Sequence, residues 1–99
     1  MDRITNRHLE ALVSRINAIT GMPQESYVPA PATSGSPSKY VAQIGCYHLS
    51  GAYGGYALHQ MVNDGGGVRD IFGGHMPKRE LYERMHAFIR GLETERKAA

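Results

Sequence analysis

Tyr47-His48-Leu49-Ser50-Gly51-Ala52-Tyr53-Gly54-Gly55-Tyr56 is followed closely by Asn63-Asp64-Gly65-Gly66-Gly67-Val68-Arg69-Asp70. Two glycine-rich punctuations between apolar runs make a three-strand antiparallel meander. The first strand spans 39–49, where Tyr40, Ala42, Ile44 and Cys46 alternate with Val41, Gln43, Gly45 and Tyr47. Apolar residues on both sides mark it as a central strand. Ser50–Gly55 is the turn after it, and flanking glycines favour a strand over a helix for 56–62. Asn63-Asp64-Gly65 is a strong hairpin signal, and Val68–Phe72 gives the third strand, closed by Gly73-Gly74. Glycine has the highest backbone entropy to lose on folding and adds nothing to a core. Concentrating it beside tyrosines, an amide and an arginine brings backbone N–H groups and ring faces within reach of a ligand. Two hairpin turns with ordinary tyrosines account for the same residues.

Outward from the meander lie two amphipathic helices. Leu9, Leu12, Val13, Ile16 and Ile19 recur at helical spacing over 5–19, with polar Arg7, Glu10, Ser14 and Asn17 on the other side. Thr5 is an N-cap, Ile4 and Leu9 occupy the positions of a hydrophobic staple, and Gly21 and Pro23 supply the stop. Pro77 opens the last helix at the position where its missing N–H costs nothing. Leu81, Met85, Phe88 and Leu92, widened by Tyr82 and Ile89, form its stripe; Glu93–Ala99 reads as a frayed tail. Residues 22–38, with Pro23, Pro29, Pro31 and Pro37, read as a long Pro-rich loop. The fold class is α+β: an N-terminal helix, the long loop, the meander, and a C-terminal helix packed on one face of the sheet. The other face has no helix left to cover it, so a homo-oligomer is expected.

The totals bound the function. Ninety-nine residues make one domain with a modest core. A formal charge of +2 is too weak for a nucleic-acid-binding stripe, yet permits a local cationic pocket. No apolar run approaches the roughly 20 residues of a membrane helix. The start Met1-Asp2-Arg3-Ile4-Thr5 lacks the layout of a signal peptide, and Cys46 has no second cysteine to pair with. A cytoplasmic location is expected.

Catalysis is not indicated. Cys46 and His48 share one face of a strand, as a thiolate and its base would, but a small buried cysteine beside a turn-bonded histidine explains them as well. Cys46, His48, His59 and His75 lack the close-paired spacing of a metal site, and no cofactor is implied. Gly65-Gly66-Gly67 with Arg69 suits a phosphate nest, and equally a flexible hairpin with a bulge. Tyr53, set among glycines, is the tyrosine best placed to stack on a ligand ring. Arg79, Arg84 and Arg90 can clamp phosphates from the last helix, or form a solvated face with Glu80 and Glu83.

The run 47–56, the turn 63–69 and Pro77-Lys78-Arg79-Glu80-Leu81-Tyr82 resemble small proteins of tailed phages and prophages. Within that circle the chain is similar to the first Thoeris anti-defence family, oligomeric sponges that sequester cyclic ADP-ribose signals made by bacterial TIR enzymes. Some members also bind cyclic oligonucleotides, and they do not cleave the ligand. The resemblance implies an aromatic ring on the adenine, an amide at its polar edge, and arginines on phosphates at a subunit interface. These roles fall on Tyr53, on Asn63, and on Arg79 and Arg84. The expected partner is thus a cyclic nucleotide signal in the host cell cytoplasm. The rival expectations are a protein-binding inhibitor of the anti-CRISPR type, docking through the exposed sheet face, and a nucleic-acid accessory protein using Arg7, Arg15 and the last helix.

Overall fold

A computed structural model describes residues 3–30 and 40–98. The order is α1 (Asn6–Thr20), β1 (Tyr27–Pro29), β2 (Tyr40–Ala42), β3 (Tyr47–Ala52), β4 (Gly55–Met61), β5 (Val68–Asp70) and α2 (Lys78–Ala98). The α+β architecture holds: β3, β4 and β5 form an antiparallel three-strand sheet, with both helices on one face. Leu9, Leu12, Val13 and Ile16 of α1 meet Leu81, Met85 and Ile89 of α2 over Tyr47 and Leu58 in one buried cluster.

The α1 boundaries follow from its caps. Thr5 Oγ1 accepts from His8 N–H, and His8 Nδ1 accepts in return from the Thr5 N–H at 3.1 Å, a reciprocal capping box. At the other end Gly21 is left-handed (φ 73), and the Gly21 and Met22 N–H groups bond to Ala18 and Asn17 carbonyls. Asn17 departs from expectation. It is 1% exposed, not on the solvent face. Its Nδ2 donates to the Tyr47 carbonyl at 3.0 Å and its Oδ1 accepts from the Tyr47 N–H at 2.8 Å.

The expected strand over 39–49 is two strands. The chain turns at 43–46, where Cys46 N–H bonds to Gln43 O and Gly45 has φ 92. A side chain there would also meet the Met22 thioether. The turn breaks the alternation: Ala42 and Cys46 are buried while Ile44 is 61% exposed. Part of the expected Pro-rich loop is β1, antiparallel to β2 in the register Tyr27↔Ala42; residues 31–38 of that loop lie outside the described residues. This ribbon packs Ala42 with Cys46 and Met61 and so covers one end of the second sheet face. The expected turn over 50–55 is shorter, because β3 runs to Ala52 and only Tyr53 and Gly54 reverse the chain. The helix expected to fray after Glu93 continues to Ala98, tied by an Arg15–Glu93 ion pair to α1 and by a Thr94 Oγ1–Arg90 O bond of 2.8 Å.

Beyond β5 the chain leaves the ladder and rejoins it. The Asp70 carboxylate accepts from the Phe72 and Gly73 N–H groups at 3.2 and 3.0 Å, and Gly73 and Gly74 take positive φ. Met76 then exchanges two main-chain bonds with Tyr56, at 2.8 and 2.9 Å. The excursion lifts His75 over the helix-free face.

Candidate functional site

The helix-free face of the sheet is lined by polar rings. His48 and His59 are cross-strand partners, as are His59 and Asp70. Ring centroids lie 5.7 Å apart for His48–His59 and for His59–His75, both edge to face. Ser50 Oγ is 3.1 Å from His75 Nε2, and His59 Nε2 is 3.7 Å from Asp70 Oδ2. His48 Nδ1 is buried with no hydrogen-bond partner. Among the described residues, no three His, Cys, Asp or Glu side chains are placed to hold a metal ion. Cys46 is buried, its thiol donating to the Tyr47 carbonyl at 3.4 Å and standing 3.7 Å from Ser26 Oγ.

Burial, reinforced by neighbouring His59, holds the His48 imidazole below its ordinary 6.5. For Asp70 burial opposes ionisation, but the Gly74, Gly73 and Phe72 N–H groups together with His59 outweigh it and lower its pKa. Both shifts mean that the folded chain binds fewer protons than the unfolded one. The His48 contribution is complete above 6.5 and is lost as pH falls toward its lowered value; the Asp70 contribution is lost only in stronger acid. Thermal stability should therefore fall between neutral pH and mildly acid pH. His48→Gln should flatten that first step and leave the second, as calorimetry across the pH range will register.

The candidate ligand residues occupy separate places. Tyr53 is 96% exposed on a left-handed backbone (φ 54), its ring edge-on to His75 at 5.6 Å. Asn63 lies at the far end of β4, about 20 Å away along the strand. Its Oδ1 accepts from the Gly65 and Gly67 N–H groups at 3.0 and 2.9 Å, so the amide holds the β4–β5 turn. Arg69 Nε donates to Gln60 Oε1 at 2.7 Å across the ladder. Arg84 reaches Glu80 at 3.3 Å, one helical turn back. Arg79 is an exposed residue of the first turn of α2. One chain thus gathers Tyr53 and the start of α2 at one end and leaves Asn63 and Arg69 at the other.

Sequence reasoning passed over Lys78 and Ser50, and weighed His75 only as a metal ligand. The Tyr56–Met76 pairing brings the start of α2 against the β3–β4 hairpin, where Lys78 Nζ lies 5.3 Å from the Tyr56 ring centroid. Beside it is an open groove of about 430 Å³ lined by Gly51, Ala52, Gly54, Gly55 and Tyr56. Pro77 was the signal for Lys78, since it fixes where the helix begins; nothing local in the sequence marks the reach of His75. The hairpin end therefore carries a glycine-lined groove with Tyr56, Lys78 and a helix N-terminus favouring anions beside it, while the exposed Tyr53 ring leans toward His75 and the helix-free face.

The fold and this site define a small α+β chain with a ring-and-cation hollow at one sheet end. Comparison with protein-family models, with curated proteins and with solved structures found no match. Among the described residues, no helix is long and apolar enough to cross a membrane.

Proposed function

We propose that this chain is a non-enzymatic sponge of the phage anti-defence kind, which captures a cyclic nucleotide signal in the host cytoplasm and holds it without cleavage. The observation that carries the proposal is Tyr53: an aromatic residue, 96% exposed, held at positive φ beside glycines. A non-glycine residue in that conformation costs of order 1 kcal/mol, and such strain persists where the surroundings impose it, often at ligand sites. Lys78 and Arg79 stand at the same end for phosphate. Because Asn63 lies at the opposite end of β4, an aromatic–amide clamp on one base requires Tyr53 from one copy and Asn63 from another. The reading therefore requires an oligomeric site. Capture works by mass action, so it needs affinity and abundance rather than turnover.

Isothermal titration with cyclic ADP-ribose isomers and cyclic dinucleotides tests the proposal. Saturable heat with at least one ligand is expected, and Arg79→Ala should weaken it about tenfold through loss of a charge-assisted contact. Absence of heat with all of them refutes the reading. A second reading, a protein-binding inhibitor, draws on the exposed Tyr27, Tyr40, Ile44, Val62 and Val68 of the ribbon and the neighbouring turns. Stoichiometric recovery of a host protein, lost in Tyr40→Ala, would favour it.

A further inference from the structure

The two edges of the sheet are built differently. β5 is three residues long, carries Arg69 and Asp70, and ends in the Asp70 turn that bends the chain out of the ladder. Those are the means by which edges are kept from pairing. The β3 edge has none of them along 48–52, where His, Leu, Ser, Gly and Ala carry no Lys, Arg, Asp or Glu.

The hydrogen-bond parity shows what this edge presents. Tyr56 exchanges its main-chain bonds with Met76, and Leu58 O accepts from Ile71, so both direct these groups away from β3. Their ladder partners Gly51 and Leu49 therefore point N–H and C=O outward. Tyr47 does the same, but the Asn17 carboxamide takes both of its groups as a neighbouring strand would. Among the described residues no strand pairs with the outer edge of β3. Beside the edge runs a groove of about 310 Å³ whose lining includes Glu10, Val13, Ser14, Gln24, His48 and Leu49.

We propose that the open edge of β3 pairs with the same edge of a second copy, joining two three-strand sheets into one of six strands. The register is dictated by self-complementarity. With Tyr47 plugged, Leu49 and Gly51 remain, and antiparallel pairing about a two-fold axis at Ser50 sets Leu49 against Gly51 of the partner subunit, and the reverse. Four N–H···O bonds form with no like charges facing each other. The groove gives the incoming strand room on the helix side, where Gly51 has no side chain. Counting along this register, the partner strand ends with Ala52 of the partner subunit opposite His48, so the hairpin turn that follows it comes up against the Asn17 plug, toward the end of the sheet that carries Asn63. The pairing thereby deepens the proposed capture site, yet its test needs no ligand, so either can fail alone.

Sedimentation of the full chain across micromolar concentrations, with amide hydrogen exchange at the upper end, is the experiment. A dimer is expected, with the Leu49 and Gly51 amides protected as well as His48 and Ser50, which bond inward to β4. Leu49→Pro removes an outward N–H and no ladder bond, so it should weaken dimerisation by about 5- to 150-fold, from two lost bonds per dimer. Gly51→Lys, which places an ammonium on the edge of each copy, should do likewise and serves if the proline variant does not fold. A monomer at all concentrations, or a dimer whose Leu49 and Gly51 amides exchange freely, overturns the pairing. So does a folded edge variant that still dimerises like the parent chain.

Discussion

Asn17→Ala should lower the unfolding free energy by roughly 2–4 kcal/mol, because the buried Tyr47 N–H loses its partner and the Tyr47 carbonyl keeps only the weak Cys46 thiol donor, while each unsatisfied group costs about 1–3 kcal/mol. That is a large share of the roughly 5–15 kcal/mol that keeps a domain of this size folded. Ser14→Ala, one turn earlier and exposed, provides the contrast and should change stability by about 0.5 kcal/mol or less. Urea denaturation of both variants decides the matter; equal midpoints would mean that the carboxamide contributes nothing. Asn17→Asp should not rescue, since it keeps the acceptor, loses the donor and buries a charge. Unplugging Tyr47 also lengthens the open edge, so Asn17→Ala should aggregate more readily than its loss of stability alone accounts for.

Tyr53→Asn should have opposite effects on folding and on capture. Tyr53 and Gly54 both have positive φ (54 and 72) and join two antiparallel strands as a two-residue loop. Asn-Gly is a favoured pair for such a loop. Relief of the tyrosine backbone should therefore stabilise the chain by about 1 kcal/mol. The same change removes the exposed ring, and loss of one base-stacking contact of ~1–3 kcal/mol means binding weaker by about 5- to 150-fold. Thermal melts and titrations on the same preparation give both readouts. A variant that is more stable and binds undiminished would take the ring out of the site.

The helices were legible because their signals are local: the 3.6-residue recurrence, Thr5, Gly21 and Pro77 all act within a turn or two. The burial of Asn17 is illegible for the complementary reason. Its burial answers a demand made by Tyr47, 30 residues away, and no pattern inside α1 announces it. The break at Gly45 is silent in the sequence because apolar alternation continues straight through a glycine whose φ of 92 ends the strand. Tyr27–Pro29 was illegible as a strand, since three residues among prolines have no periodicity to read. At the site, the glycine context of Tyr53 pointed to a turn and to exposure. That Asn63 spends its Oδ1 on the Gly65 and Gly67 N–H groups is turn chemistry that the Asn-Asp-Gly run had already signalled. The separation of Tyr53 from Asn63, and the nearness of Lys78 to Tyr56, depend on strand register and on the return of the chain at Met76.

The clasp between the first and last helices has a consequence for synthesis. Leu9, Leu12, Val13 and Ile16 find Leu81, Met85 and Ile89 only after the chain between the two helices has been made. Until α2 is made, the apolar stripe of α1 has only the sheet residues Tyr47 and Leu58 to cover it, and the exposed remainder is open to chaperones. Completion of the core thus waits on the synthesis of α2, and a chain ended before Leu81 is expected to leave the α1 stripe partly uncovered.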